Sequence, residues 1–321
     1  MRMKLSVVIP AYNASNTIQR TLDSVLPIVG DQCEVLIVDD GSTDALAEVL
    51  KPYVDGVTVR LIRQSNSGGP ASPRNRGIAE TTGDYVLFLD ADDVVVTDEV
   101  QPTLQLLEQH QDVSMICGNF DVTDAQLSTR ISRNIDRYAT FQAVLRERAG
   151  PNAWKIPSET AVAVLLQTNF VGTSSVIARR SSLELVGAFD EKLRNLDDRD
   201  MWIRLSQAGP ILYRERVFYK YRDSEGSVSK QRQLEQCSER AAVAKKVIRT
   251  AKSSRIKQLA RRCRSQNQLK IGYILFHERA QSRQAFGAFC ASFLDRPNVA
   301  AFKGMLKSLL PRRMYQLMVR T

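Results

Sequence analysis

Three short acidic clusters hold the residues best suited to chemistry. Asp39-Asp40 follows the apolar run Val35-Leu36-Ile37-Val38, and Asp90-Ala91-Asp92-Asp93 follows Tyr85-Val86-Leu87-Phe88-Leu89. Asp197-Asp198-Arg199-Asp200 precedes Met201, Trp202 and Leu205. Carboxylates one residue apart offer oxygen ligands to a hard divalent cation such as Mg²⁺ or Mn²⁺. A single carboxylate can instead take a proton from a reacting hydroxyl. Each cluster also has a plainer reading. Aspartates after a strand make polar or Asx turns, and aspartates opening a helix complement its dipole, which should keep such a carboxylate ionised at neutral pH.

The surrounding pattern says how these clusters are held. Leu5-Ser6-Val7-Val8-Ile9 reads as a buried strand ended by Pro10, and Ser15 or Asn16 can cap a helix carrying Ile18, Leu22, Val25 and Leu26. Further strands are predicted at 35–38, 57–62 and 85–89. Ser72-Pro73 reads as an N-cap with proline at the first helical position, opening a helix to about Thr81. Strands apolar on both faces and separated by helices predict an α/β fold, a mostly parallel sheet flanked by helices. Ligands of such sheets bind beyond the carboxyl ends of the strands, so Asp39, Asp40, Asp90 and Asp92 should meet at one cleft. Residues 121–230 are less regular. Helices are expected at 160–166, 182–186 and 199–208, and a strand at 174–177. From Gln231 the pattern is helical, with breaks near Gly272, Asp295-Arg296-Pro297 and Pro311.

Leu89-Asp90-Ala91-Asp92 resembles the DxD motif of GT-A glycosyltransferases. Val8-Ile9-Pro10-Ala11-Tyr12-Asn13, Val38-Asp39-Asp40-Gly41-Ser42-Thr43-Asp44 and Arg74-Asn75-Arg76-Gly77 resemble the other signatures of glycosyltransferase family 2. Leu196 to Leu205 is similar to that family's Glu-Asp-x-Asp-Leu-Trp segment, with Asp197 where glutamate is usual. The resemblance spans roughly residues 4–230 in family order. It implies a Rossmann-like GT-A domain, with residues 1–120 binding a nucleotide-sugar and 121–230 the acceptor, followed by a basic helical region at 231–321. The implied activity is inverting transfer from a UDP-sugar to a carbohydrate or lipid-linked hydroxyl, assisted by Mn²⁺ or Mg²⁺, in making a cell-surface polysaccharide or glycolipid.

Residue by residue, the resemblance gives Asp90 the ribose or sugar and Asp92 the metal, with Asp90, Asp223 and Glu225 as further ligand candidates. Asp40 would accept from the uracil imide, with Asp39 the neighbouring candidate. Arg74 would lie near the uracil or the phosphates, and Tyr12 along the base, although a core tyrosine is the alternative. Pro10, Ala11, Asn66 and Ala91 complete the expected donor site. Asp198 would be the general base, with Asp197 and Asp200 as alternates. Gly172-Thr173-Ser174-Ser175 is expected on the acceptor side, and Phe189 to be structural. One departure stands out: where many relatives place a histidine metal ligand after an aromatic-Arg pair, Tyr221-Arg222 is followed by Asp223-Ser224-Glu225. His110 and His277 read as helix-surface residues.

The net charge of +10 over 321 residues divides sharply. From Gln231 onward there are 20 Lys+Arg against 4 Asp+Glu, a net of +16, leaving −6 on the rest. Within that tail, Phe302, Met305, Leu306 and Leu309 recur at helical spacing with Lys303 and Lys307 between them, a pattern suited to an anionic membrane surface. Helices packed on the catalytic domain, or a homo-oligomer interface, would use the same residues. The basic charge alone would also suit nucleic acid, but no nucleic-acid motif accompanies it. A non-catalytic carbohydrate-binding relative is a further class. No apolar run is long enough to span a bilayer, and Met1-Arg2-Met3-Lys4 leads into a strand without a cleavage site, so a signal peptide is not expected. Five widely spaced cysteines suggest reduced thiols and a cytoplasmic protein, which the basic tail would place peripherally on the inner face of the cell membrane.

Overall fold

The computed structural model describes residues 4–223 and 233–309. They fall into two compact units, one within Met1–Ser227 and one within Val228–Thr321. The first is built on an 11-stranded sheet: β1 (Leu5–Ala11), β2 (Cys33–Asp39), β3 (Val59–Arg63), β4 (Tyr85–Phe88), β5 (Val94–Val95), β6 (Met115–Thr123), β7 (Arg130–Arg133), β8 (Glu147–Gly150), β9 (Ala153–Ile156), β10 (Ile177–Arg179) and β11 (Ile211–Arg222). The order is β3-β2-β1-β4-β10-β6-β11-β9-β8, with β5 on β11 and β7 on β6.

The longer ladders are parallel: β1 with β2 from Leu5↔Cys33 to Ala11↔Asp39, β2 with β3, β1 with β4, and β6 with β11 from Ile211↔Met115 to Arg222↔Thr123. The shorter β10 runs antiparallel between β4 and β6 and joins the two parallel blocks. The chain goes outward from β1 to β2 and β3, then crosses back to place β4 on the other side of β1. Such a reversal opens a crevice at the carboxyl ends of the two central strands.

β1 is apolar on both faces because both are covered. Val7 and Ile9 join Ile18, Leu22 and Val25 of the helix Ile18–Val25 in the core. On the opposite face, Val8 meets the helix Ala71–Glu80 at Gly77, where a Cβ would stand 2.2 Å from Val8 Cγ1. That helix begins earlier than the sequence suggests. Pro70 is its N-cap, and the first intrahelical bond is Arg74 N–H to Pro70 C=O at 3.1 Å. Ser72 and Pro73 thus lie in the first turn, where amide groups lack intrahelical acceptors and proline forfeits none. The cap of the first helix is Thr17 rather than Ser15 or Asn16. Ser174 and Ser175 belong to a short 3₁₀ turn (Thr173–Ser175) before β10, not to a strand.

The C-terminal unit contains the helices Gln233–Thr250, Ser254–Tyr273, Ser282–Asp295 and Val299–Leu309. The expected break at Gly272 does not occur: the helix runs through it into a π-helical turn at Ile274–Glu278. Gly272 serves close packing instead, since a Cβ there would sit 2.5 Å from Phe289. The break at Asp295–Pro297 is present; Pro311 lies outside the described residues.

Gly77→Ala should destabilise the protein by about 1–3 kcal/mol through overpacking against Val8. Adding Val8→Ala should recover part of that loss, read as non-additivity in a urea-unfolding double-mutant cycle.

Candidate active site

A cleft of about 510 Å³ opens at the β1/β4 reversal, lined by Pro10, Ala11, Tyr12, Asp40, Asn66, Asp90, Ala91 and Asp92 among others. Tyr12 is 52% exposed, a cleft-wall residue and not a core one. Two loops interlock beneath it. Asn13, at φ 51°, takes the Thr43 N–H on Oδ1 at 2.8 Å and donates its own N–H to Ser42 Oγ at 2.9 Å. Gly41 has φ 78°, and a Cβ there would stand 2.7 Å from Asn66 N, so only glycine fits both the turn and the close approach.

The two neighbouring aspartates of β2 part company. Asp39 is buried outside the cleft lining, accepting from Ser42 N–H at 2.8 Å with Arg63 3.5 Å away, which is the Asx-turn arrangement. Asp40 lines the cleft, its carboxylate accepting from Gln64 Nε2 at 2.7 Å and from the Ser67 N–H and hydroxyl at 3.0 and 2.9 Å. Three donors on a group with about four lone-pair sites leave room for one more. Asn66 closes this corner by donating to the Asp40 carbonyl at 3.0 Å.

The loop after β4 is held from three sides. The Ala91 carbonyl accepts from Thr17 Oγ1 at 2.9 Å and Thr21 Oγ1 at 3.0 Å. Asp90 N–H donates to Ser174 Oγ at 3.1 Å, and that hydroxyl donates to Asp93 at 2.5 Å. Arg222 donates to the Asp92 carbonyl at 3.2 Å from the end of β11. Asp92 itself is exposed. Confinement within the site and the charge of Asp90 push its carboxyl above the usual range. Asp93 is pushed well above it by burial, with Asp92 and Asp90 adding to the effect, and its Oδ1 has no hydrogen-bond partner.

Arg74 is the centre of the site, although it does not line the cleft. Its buried guanidinium donates at 2.7 Å to Asp90 and at 2.7 Å to Asp197, and stands 5.7 Å from the Phe189 ring centroid. The rest of its sequence motif supports that position. Asn75 exchanges hydrogen bonds with the Phe189 backbone at 3.0 and 2.7 Å. Phe189 is structural as expected, packed edge-on against Phe88 at 5.3 Å and Trp202 at 6.0 Å.

The helix Asp197–Ala208 starts at the acidic cluster and divides its three aspartates. Asp197 is buried on Arg74, and desolvation outweighs that arginine to push its carboxyl up to about 7. Asp200 pairs with Arg204 at 2.9 Å. Asp198 remains half-buried, receiving Asn169 Nδ2 and Thr173 Oγ1, each at 3.3 Å, and the Arg199 N–H at 2.6 Å. Desolvation raises its pKa despite its place at a helix N-terminus. Asn169, Gln64 and Ser67 had no flag in the sequence, being single polar residues in irregular segments. Asp93 stood within a quoted motif without a role.

A hard divalent cation suits this carboxylate set. Asp92 lines the cleft beside Asp90, and the positive charge of Arg222 near it is outweighed by desolvation and by the charge of Asp90. Among the described residues no three of His, Cys, Asp and Glu gather to hold a metal, so Asp223 does not complete a cage with Asp90 and Asp92. Glu225 and Ser224 lie outside the described residues. One or two carboxylates with water and substrate phosphate is an ordinary Mg²⁺ or Mn²⁺ arrangement.

The sequence profile of Glycosyl transferase family 2 matches residues 6–183, and the chain belongs to that family. It is 32% identical over 212 residues to the amylovoran biosynthesis glycosyltransferase AmsB of Erwinia amylovora, covering 64% of this chain and 65% of AmsB. It is 28% identical to glycosyltransferase GlyG of Streptococcus pneumoniae, over 49% of this chain and 54% of GlyG. The chain thus spans less than two thirds of these relatives' lengths. In fold it is similar to residues 1–349 of TarS from S. aureus in complex with UDP-GlcNAc, with a TM-score of 0.71 at 18% identity over 95% of this chain and 89% of that one. The mannosyltransferase PcManGT of Pyrobaculum calidifontis, in complex with GDP-Man and Mn²⁺, gives a TM-score of 0.59 at 18% identity over 99% and 84%.

Arg74→Met should cost about 3–5 kcal/mol, because it strands two carboxylates beside one another. Adding Asp197→Asn should restore part of the loss by removing one stranded charge, measured as the shift in urea midpoint.

Proposed function

We propose that this glycosyltransferase moves a hexosyl or N-acetylhexosaminyl group from a UDP-sugar to a hydroxyl of a carbohydrate or lipid-linked acceptor, with inversion, in building a cell-surface polysaccharide or glycolipid. The observation that carries the reading is the Arg74 bridge, which ties Asp90 of the cleft to the residue beside Asp198. The base would rest in the corner of Asp40 and Asn66 against Tyr12, with Asp40 accepting from the uracil imide. That TarS is described with UDP-GlcNAc supports a uridine donor for a chain of this fold.

In this reading the acceptor oxygen attacks the anomeric carbon as the bond to the diphosphate oxygen breaks. The bonding pair leaves on the diphosphate, and the acceptor proton passes to the Asp198 carboxylate. Asn169 and Thr173 orient that carboxylate by donating to the same oxygen, Oδ2. Asp90 would meet the ribose or sugar while Arg74 fixes its rotamer. Asp92, with Asp90 as its neighbour, would hold Mn²⁺ or Mg²⁺, which when bound neutralises charge on the departing diphosphate.

Asp198→Asn should keep donor binding, read by thermal shift with UDP-sugars, and lower kcat by about 10²–10⁴-fold. Asp92→Ala should abolish metal-dependent transfer in a folded protein. NMR of the first product should show the anomeric configuration inverted; retention would sink single displacement. The rate should also depend on pH in a defined direction. Because burial raises the Asp198 carboxyl above the ordinary carboxylate range, lowering the pH should protonate the base and reduce kcat/KM, with the acidic limb above that of a free carboxylate. Asp197→Asn removes one negative charge beside Asp198, so the acidic limb should move to lower pH.

A further inference from the structure

The helix Val299–Leu309 is packed the unusual way round. Its buried residues are small: Ala301, Gly304 and Ser308. Met305, expected in the apolar stripe, packs inward against the core, while four large apolar residues point outward, with Val299 70%, Phe302 50%, Leu306 51% and Leu309 67% exposed. These four fall within one face at 100° per residue, with Lys303 and Lys307 along its edge. The inversion has a local cause. Gly304 and Gly272 lie against the same Phe289 ring, with notional Cβ distances of 2.6 and 2.5 Å, so a small inner face is what lets the helix seat. Apart from Phe302, whose ring lies 6.3 Å from that of Phe293, the outer stripe is surplus to that core.

Just before this helix, at Arg296 and Pro297, lies a second cleft of about 470 Å³. Its lining includes Arg261, Arg262 and Arg296, and one carboxylate, Asp295, held by Arg264 at 2.8 Å. We propose that the apolar stripe, with the arginine-lined cleft just before it in the chain, docks on the surface of an anionic lipid bilayer. The stripe would enter the headgroup boundary and the arginines would meet lipid phosphates. Charge selects the occupant. A net of +16 from Gln231 onward repels a second copy of the same face and attracts an anionic surface. Nucleic acid would satisfy the arginines but leaves the stripe without a partner. No helix among the described residues is long and apolar enough to cross a membrane.

The test is co-sedimentation of the full chain with phosphatidylcholine vesicles, with and without phosphatidylglycerol, alongside light scattering for oligomeric state. Binding is expected only with phosphatidylglycerol and should weaken as salt rises. Phe302→Asp/Leu306→Asp should lower partitioning by about tenfold or more, and Arg261→Ser/Arg262→Ser should lower it comparably. Metal-dependent hydrolysis of donor should stay unchanged in both, which also reports that they are folded. Equal binding to both vesicle types, binding to neither, or unchanged binding by the Phe302/Leu306 variant would overturn the proposal. So would a full-length dimer that this variant dissociates without vesicle binding, since the face would then join two copies.

Discussion

A single buried cation, the Arg74 guanidinium, sits among more negative charge than it can balance, and the arrangement of the site follows from that. It contacts Asp90 and Asp197 directly and acts electrostatically on Asp198. One positive group cannot fully compensate three carboxylates taken from water, which is why Asp197 and Asp198 are raised although they stand close to an arginine. Such a pairing adds little to net stability, because desolvation offsets most of the Coulomb gain. What it does enforce is position. Asp197 is 123 residues from Arg74 in sequence, and breaking their pair leaves buried charges unmatched. The strand-end loop after β4 and the start of the helix Asp197–Ala208 are thereby held in one relation.

The same logic runs through the rest of the loop after β4. Its backbone is fixed by neutral groups drawn from distant elements, Thr17 and Thr21 on the Ala91 carbonyl and Ser174 on the Asp90 amide. These neutral partners add no charge, and Arg222, a cation at the Asp92 carbonyl, offsets only part of the negative field of Asp90 and Asp92. A site preorganised in this way need not rearrange its dipoles when a ligand arrives. Ser174 is the joint between the two sides, since the turn that carries it also directs Thr173 toward Asp198.

Much of this was legible because two of its signals are local. Apolar runs ending in Asp39 and Asp90 announced parallel strands and a cleft at their ends, and the order β3-β2-β1-β4 follows from helices crossing between them. The difference between Asp39 and Asp40 was not legible, because it depends on Ser42 and Arg63 facing one and Gln64 and Ser67 the other. Arg74 was expected near the ligand, and nothing in its own segment reveals that Asp197 lies 2.7 Å away. β6 and β11, paired across the middle of the sheet, were missed because their alternation is interrupted by polar residues such as Asn119, Arg214 and Glu215. The substitution of small for large inside the last described helix was equally hidden, since periodicity finds an apolar face without saying whether it turns inward.

That last ambiguity has a physical resolution. An amphipathic helix ordinarily buries its bulky stripe, because covering apolar area is the main favourable term in packing. Here the bulky stripe is at 280–360° on the helical wheel when Val299 is set to 0°, roughly opposite Ala301, Gly304 and Ser308, a separation fixed by 100° per residue. Rotating the helix to bury Phe302 and Leu306 would drive them into Phe289, which already fills the space that Gly272 and Gly304 leave. The neighbouring helix therefore dictates which face is inside. Within this unit the stripe keeps one side contact, Phe302 on the Phe293 ring, and the rest of its apolar area, beside a strongly basic surface, suits a partner that is itself apolar within and negatively charged at its boundary.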